Sequence, residues 1–269
     1  MTLKIGIDDF SFISQDTYAI VTPAGLVEIW SFDDPSTSHT VPLPKAKFEL
    51  PKLANGFLYW YLAMSANPTT GYIPHNHILS ATKPTYHPMP NERIIAFCLY
   101  ILNPNSINMF PHSYVFFVNA RTFLRPPAAV MAFIEKAGNP DVPVPWEIWG
   151  PENTRWFPED SNATDWQHAL YGYRTVDAMG SYASSLDKRK IRVRDFNPYS
   201  LTRITEADDE DDGWRGRVVH EPSIIPARDA FAYDVVSTLP YREIESEESF
   251  SVTDVMMDDC RILLLKVRL

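Results

Sequence analysis

The stretch PWEIWGPENTRWF, from Pro145 to Phe157, is followed closely by ATDWQHALYGYRTV, from Ala163 to Val176. Together they hold Trp146, Trp149, Trp156 and Trp166, four of the seven tryptophans in the chain. Large aromatics bury much area and usually anchor a core, and a buried indole N–H seeks a partner. Those left exposed, with an arginine among them, are of the types that most often dominate interface energetics. No recognisable reactive constellation accompanies them. The segment therefore points to a packed interaction protein rather than an enzyme. Trp146, Trp149, Arg155, Trp156, Trp166 and His168 are the candidate binding residues, and most of the indoles are expected to serve packing.

Outward from this segment, strand-like runs dominate. They read Leu26–Phe32, Phe57–Ala63, Arg93–Leu102, Ser113–Asn119, Lys190–Phe196, Phe231–Val236 and Arg261–Val267, rich in β-branched and aromatic residues and bounded by Pro, Gly, Asn and Asp. Helix is a minority element. Its best candidate is Ala128–Lys136, which follows Pro126-Pro127 and stops before Gly138.

Three segments read as strand, polar turn, strand: Tyr18–Phe32, Tyr182–Phe196 and Thr253–Val267. In the second, Ile191 and Val193 alternate with Arg192 and Arg194, so that one face packs and the other meets solvent. Their uneven spacing makes this a degenerate self-similarity. The expected fold is mainly β and propeller-like, a degenerate or incomplete set of WD-repeat-like blades with few short helices, forming one domain over residues 1–269. The Pro-rich stretches Pro35–Pro51, Pro84–Pro90 and Pro140–Pro151 then read as long surface loops between blades. The acidic run Glu206–Asp212 reads as a solvated loop.

Composition narrows the function classes. With 269 residues, 45% of them hydrophobic, the chain can bury a substantial core. A formal charge of −10 disfavours wholesale binding to nucleic-acid phosphates. No apolar run has the length of a membrane span, and the N-terminus lacks a basic region followed by an apolar signal segment. Cys98 and Cys260, each in or beside an apolar run, read as reduced core thiols. An intracellular protein, cytoplasmic or nuclear, is expected.

The chemistry-bearing residues are sparse. His75 and His77, with His87 nearby, lack the Cys partners or second cluster of a zinc site, so no metal is expected. There is no G-x-S-x-G elbow, no dinucleotide fingerprint and no phosphate-binding P-loop, so neither acyl transfer nor a nucleotide cofactor is implied. One alternative stands beside the interaction reading. Glu147, Glu152, Glu159, Asp160 and Asp165 lie close in sequence to the tryptophans, and aromatic platforms beside carboxylates suit a sugar. A carbohydrate-binding or carbohydrate-active scaffold would place two carboxylates in a cleft lined by Trp146, Trp149 or Trp156.

Trp146–Phe157, Asp165–Val176, PHSYVFFVNARTFL from Pro111 to Leu124 and DVMMDDCRILLLKV from Asp254 to Val267 resemble the C-terminal region of F-box-type proteins of mushroom-forming fungi. The likeness runs over most of the chain. It implies a propeller-like, non-enzymatic domain that recognises a protein partner, as the substrate-recognition part of a ubiquitin-ligase adaptor. An F-box binds the Skp adaptor through a short helical segment, but here Met1 leads almost directly into strand-like KIGIDDFSF, and no F-box is visible. A protein partner is expected and Skp binding is in doubt.

Overall fold

The computed structural model describes residues 6–32, 43–69, 92–106, 110–159, 165–179, 188–202, 213–227 and 230–266. The fold is mainly β, built of antiparallel sheets. β1 (Asp9–Phe12), β2 (Thr17–Thr22), β3 (Leu26–Ser31) and β4 (Ala46–Glu49) form a meander in chain order. Their period-two alternation turns Ala19, Val21, Val27, Ile29 and Phe48 inward. The turn between β2 and β3 needs Gly25 on two counts. Its φ is +76°, and a Cβ there would lie 2.5 Å from Cε2 of Tyr59.

A second meander follows with β5 (Leu58–Ser65), β6 (Ile94–Leu102), β7 (His112–Asn119) and β8 (Thr154–Pro158). β6 reads IIAFCLYIL with hardly a polar residue because both of its faces are covered. Ile95, Phe97 and Leu99, with Phe116 of β7 and Trp156 of β8, face a core shared with the first sheet. Ile94 and Ala96, with Val115 and Phe117 of β7, face a second core shared with the third sheet. That third sheet runs in the order β12 (Trp214–Val219), β15 (Tyr241–Ser251), β11 (Lys188–Asp195), β10 (Arg174–Ala178), β9 (Leu170–Tyr171). Two hairpins complete the strands, β13 (Ser223–Ile225) with β14 (Val235–Ser237) and β16 (Asp254–Met257) with β17 (Ile262–Leu265).

Hydrogen bonds tie the sheets together. Asp9 of β1 accepts from the Met64 amide of β5 at 2.7 Å, and Gly172, just after β9, donates to the Asn67 carbonyl at 2.8 Å. Helices intervene between β7 and β8: α1 (Arg121–Leu124), α2 (Ala128–Ala137) and α3 (Trp146–Asn153). Trp149 of α3 donates through Nε1 to the Glu49 carbonyl at 2.8 Å, which ties the helix to β4. Among the described residues the sheets close into neither a barrel nor a ring.

Most strand expectations hold, and so does the helix expected at Ala128–Lys136, which runs to Ala137. Three need correction. Pro140–Pro151 is not one long loop, because Trp146–Asn153 is helical with Pro151 inside it. Glu147 in its first turn complements the helix dipole, and the Asn153 amide and Thr154 hydroxyl take up the carbonyls of Trp149 and Gly150, each at 2.8 Å. The run Phe231–Val236 is a strand only at its end, since Phe231 instead bridges to Leu53. Cys260 is exposed in the β16–β17 turn rather than buried, whereas Cys98 is half-buried in β6. The first strand expected in Tyr182–Phe196, together with His75, His77, His87 and the acidic run, lies outside the described residues. No helix among the described residues is long and apolar enough to cross a membrane.

Candidate functional site

The Trp-rich segment does not gather into one surface. Trp146, Trp149 and Trp156 are buried together in the first core, where Trp146 meets Trp149 edge-on at 5.2 Å and Trp156 edge-on at 5.5 Å. Trp156 stacks on Phe116 at 4.6 Å, and Phe116 on Phe97 at 4.5 Å. Arg155 and Trp166 belong to the second core. Arg155, 2% exposed, donates to the carbonyls of Leu239 and Glu221 and lies 5.1 Å from the Tyr241 ring centre. Burial lowers the pKa of its guanidinium. His168 stays on the surface, its Nε2 3.9 Å from Asp165.

Of these residues Trp146 alone also edges a groove of about 610 Å³. One wall is the β2–β3 turn with Pro23. Facing it are Phe57 and Tyr59 at the start of β5, the first turn of α3 with Trp146 and Glu147, and Tyr233. The end of β4 and its connection to β5 also line it, with Glu49, Lys52 and Leu53. This connection is irregular but firmly held. The Leu50 amide donates to the Gly25 carbonyl, Ala54 to Ala230 and Ala232 to Lys52, each within 2.9 Å. The Tyr59 hydroxyl donates to the Pro51 carbonyl at 2.6 Å, and its burial pushes its pKa well up, which keeps it a donor. Glu49, Lys52 and Glu147 are exposed, and Tyr233 is 50% exposed. The groove thus presents a firmly held lining of mixed polar and apolar surface, with two exposed carboxylates and one exposed ammonium.

A second concentration of charge lies in the third sheet. Asp177 of β10 takes two bonds from Arg192, at 2.6 and 3.3 Å, and one from Arg194 at 2.7 Å. Glu243 of β15 accepts from Arg217 at 2.6 and 3.0 Å and lies 3.9 Å from both Arg192 and Arg194. Every anion here is neutralised by guanidinium, and Arg194 lies over the Phe157 ring at 4.3 Å, so the cluster locks the third sheet to the second. Asp258, Asp259 and Cys260 approach within 4.8 Å of one another, but Arg261 holds Asp258 by two bonds.

The carboxylates near the tryptophans disperse. Glu152 and Asp165 are exposed, and Asp160 lies outside the described residues. Glu159 accepts from Trp166 Nε1 at 2.5 Å, while its other oxygen is buried without a hydrogen bond. Burial raises its pKa, against the opposing effect of the Trp166 bond. A carboxyl whose folded pKa lies above its unfolded value subtracts stability once ionised, and this loss is relieved as pH falls through the folded pKa towards about 4. Glu159→Gln is therefore expected to raise stability at pH 7 by up to about 1 kcal/mol, and to match the wild type near pH 4. Urea denaturation at the two pH values measures this, and a variant less stable at pH 7 would contradict it.

Sequence reasoning picked out Trp146 and Glu147 at the groove but not Glu49, Lys52, Leu53, Tyr59 or Tyr233. The one local signal was the Pro23-Ala24-Gly25 turn, whose glycine accommodates Tyr59. Against protein-family models, curated proteins and solved structures, the chain has no match.

Proposed function

We propose that the chain is a non-catalytic recognition module that binds a segment of a protein partner in the groove beside Trp146. The observation that carries this reading is the groove's construction, a lining of mixed polar and apolar surface fixed by backbone hydrogen bonds, with Glu49, Lys52 and Glu147 open to solvent. Pre-formed concave sites with a few placed polar groups are how ligands and peptides are held, and rigidity spares the ordering entropy of binding. Successive antiparallel meanders stacked face to face support an open, blade-like arrangement as the scaffold. In the same reading the module is the substrate-recognition part of an F-box-type ubiquitin-ligase adaptor, with Skp binding in doubt.

A carbohydrate ligand is the second reading, because Glu49 and Glu147 line the same groove as Trp146. It is weaker. Trp146 is only 5% exposed, its ring packed against Trp149, Trp156 and Gly150, so it offers no open face to a sugar. Both carboxylates are exposed, without the apolar pocket that raises a general acid.

The test places a photo-cross-linking amino acid at Tyr233 in cells and identifies what it captures. The expected result is a protein adduct that disappears when Glu49→Lys and Glu147→Lys are added at unchanged melting temperature. Glycan binding or cleavage by the purified chain with no protein adduct would overturn the reading.

A further inference from the structure

The face of the first sheet turned away from the core is aromatic where a solvated antiparallel face would be polar. Strand alternation puts Phe10 and Phe12 of β1, Tyr18 and Ile20 of β2 and Trp30 of β3 on it. The register aligns Phe12 with Tyr18 and Trp30, and Phe10 with Ile20, Glu28 and Lys47. Phe32 closes the cluster at 5.1 Å from Tyr18 and 6.1 Å from Phe12. Phe10 is 59% exposed, Phe12 43% and Phe32 58%. At 150–250 Å² for each aromatic side chain, the three phenylalanines alone leave about 300 Å² of contiguous apolar surface. A patch of that size is among the largest that a typical monomer exposes, and such patches are often functional.

We propose that this face is a self-association surface, on which a second copy of the chain packs its own first sheet. The charges in the two aligned rows are those of Glu28 and Lys47, 3.6 Å apart, with Lys47 also held by Asp141 at the rim at 2.9 Å. The aromatic rows therefore carry no uncompensated charge, although the chain as a whole carries −10. Two copies can bring these rows together about a two-fold axis without burying an unpaired ion, whereas a strongly basic partner attracted by the net charge finds no free anion in them. Both faces of the second sheet are already covered by neighbouring sheets, and the same face-to-face packing, with rings interdigitated about 10 Å apart, suits the first sheet's outer face. The area is below the roughly 800 Å² per partner of a standard interface, so the association is weak, with Kd in the micromolar range or above.

Sedimentation velocity of the full chain from about 1 to about 200 µM tests this. The expected result is a reversible monomer–dimer equilibrium that Phe10→Ser with Phe32→Ser abolishes while the melting temperature stays within a few degrees. Phe10→Ser alone should weaken it at least tenfold, and serves should the double variant not fold. A chain that is monomeric throughout, or a dimer that persists unchanged in a folded variant, would overturn the proposal. Neither outcome bears on the groove, whose cross-link at Tyr233 is read separately.

Discussion

Replacing Gly150 with alanine is expected to destabilise the protein by about 3 kcal/mol, a fall in melting temperature on the order of 10 °C for a chain of this size. Helix propensity alone predicts the opposite sign, a gain of about 1 kcal/mol, because alanine is the better helix former. Packing decides the matter. The Trp146 indole lies across Gly150 one turn later, and a Cβ there would sit 2.2 Å from Cε3 and 2.3 Å from Cζ3. The ring has nowhere to retreat, since Trp149 and Trp156 meet it edge-on at 5.2 and 5.5 Å. Trp146→Leu would itself cost a few kcal/mol through the cavity it leaves, yet it makes room for the methyl group. The double variant is therefore expected to be more stable than the two single losses added together, by about 1–3 kcal/mol. Urea denaturation of the four proteins measures the coupling. A thermally silent Gly150→Ala would show that the ring does not lie where described.

The second large effect is expected at Asp177. Asp177→Asn takes from Arg192 and Arg194 the carboxylate that bonds both guanidiniums and leaves them only Glu243 at 3.9 Å, at a cost of about 3 kcal/mol at pH 7. Burial by itself would raise the pKa of this carboxyl. Arg194 and Arg192 outweigh that and hold it below the ordinary value. For a carboxyl with a lowered folded pKa, the stabilisation is fully present above the unfolded value, near 4, and is lost as pH falls through the folded pKa. The gap between wild type and Asp177→Asn should accordingly be constant from pH 7 to about 5 and shrink in more acid solution. Glu243→Gln is expected to cost less, because its closest partner Arg217 is 72% exposed and can be rehydrated. Equal losses at the two positions would mean that the buried guanidiniums do not depend on Asp177.

The longest strand shows why part of the fold was not legible in advance. β15 reads YREIESEESFS over 11 residues, too polar to announce a strand. It forms because β11 and β12, which pair with it on either side, supply arginines to its carboxylates, Arg192 and Arg217 to Glu243 and Arg215 to Glu247. Those partners are 26 to 51 residues away, as the separations of Arg217 and Arg192 from Glu243 show, so no local window contains the reason. β6 is the contrary case. IIAFCLYIL can be read directly because a strand covered on both faces needs apolar residues at every position. The Trp-rich stretch fell between the two, rightly read as packing material, with its helix unforeseen. Pro140–Pro151 read as a surface loop, while the Gly150 contact and the caps at Asn153 and Thr154 that go with a helix become visible only in three dimensions.

What the sequence by itself determined is the β-rich class, most strands, the helix at Ala128–Ala137 and the packing role of the tryptophans, all of which follow from hydrophobic period and side-chain size. Which tryptophan edges a groove, which arginines are committed to buried anions and which aromatics remain in solvent were decided by the tertiary structure alone. The reason is physical: Trp146 and Trp149 differ by three residues on one helix, yet one reaches the groove and the other is sealed against Glu49, according to what the sheets bring alongside.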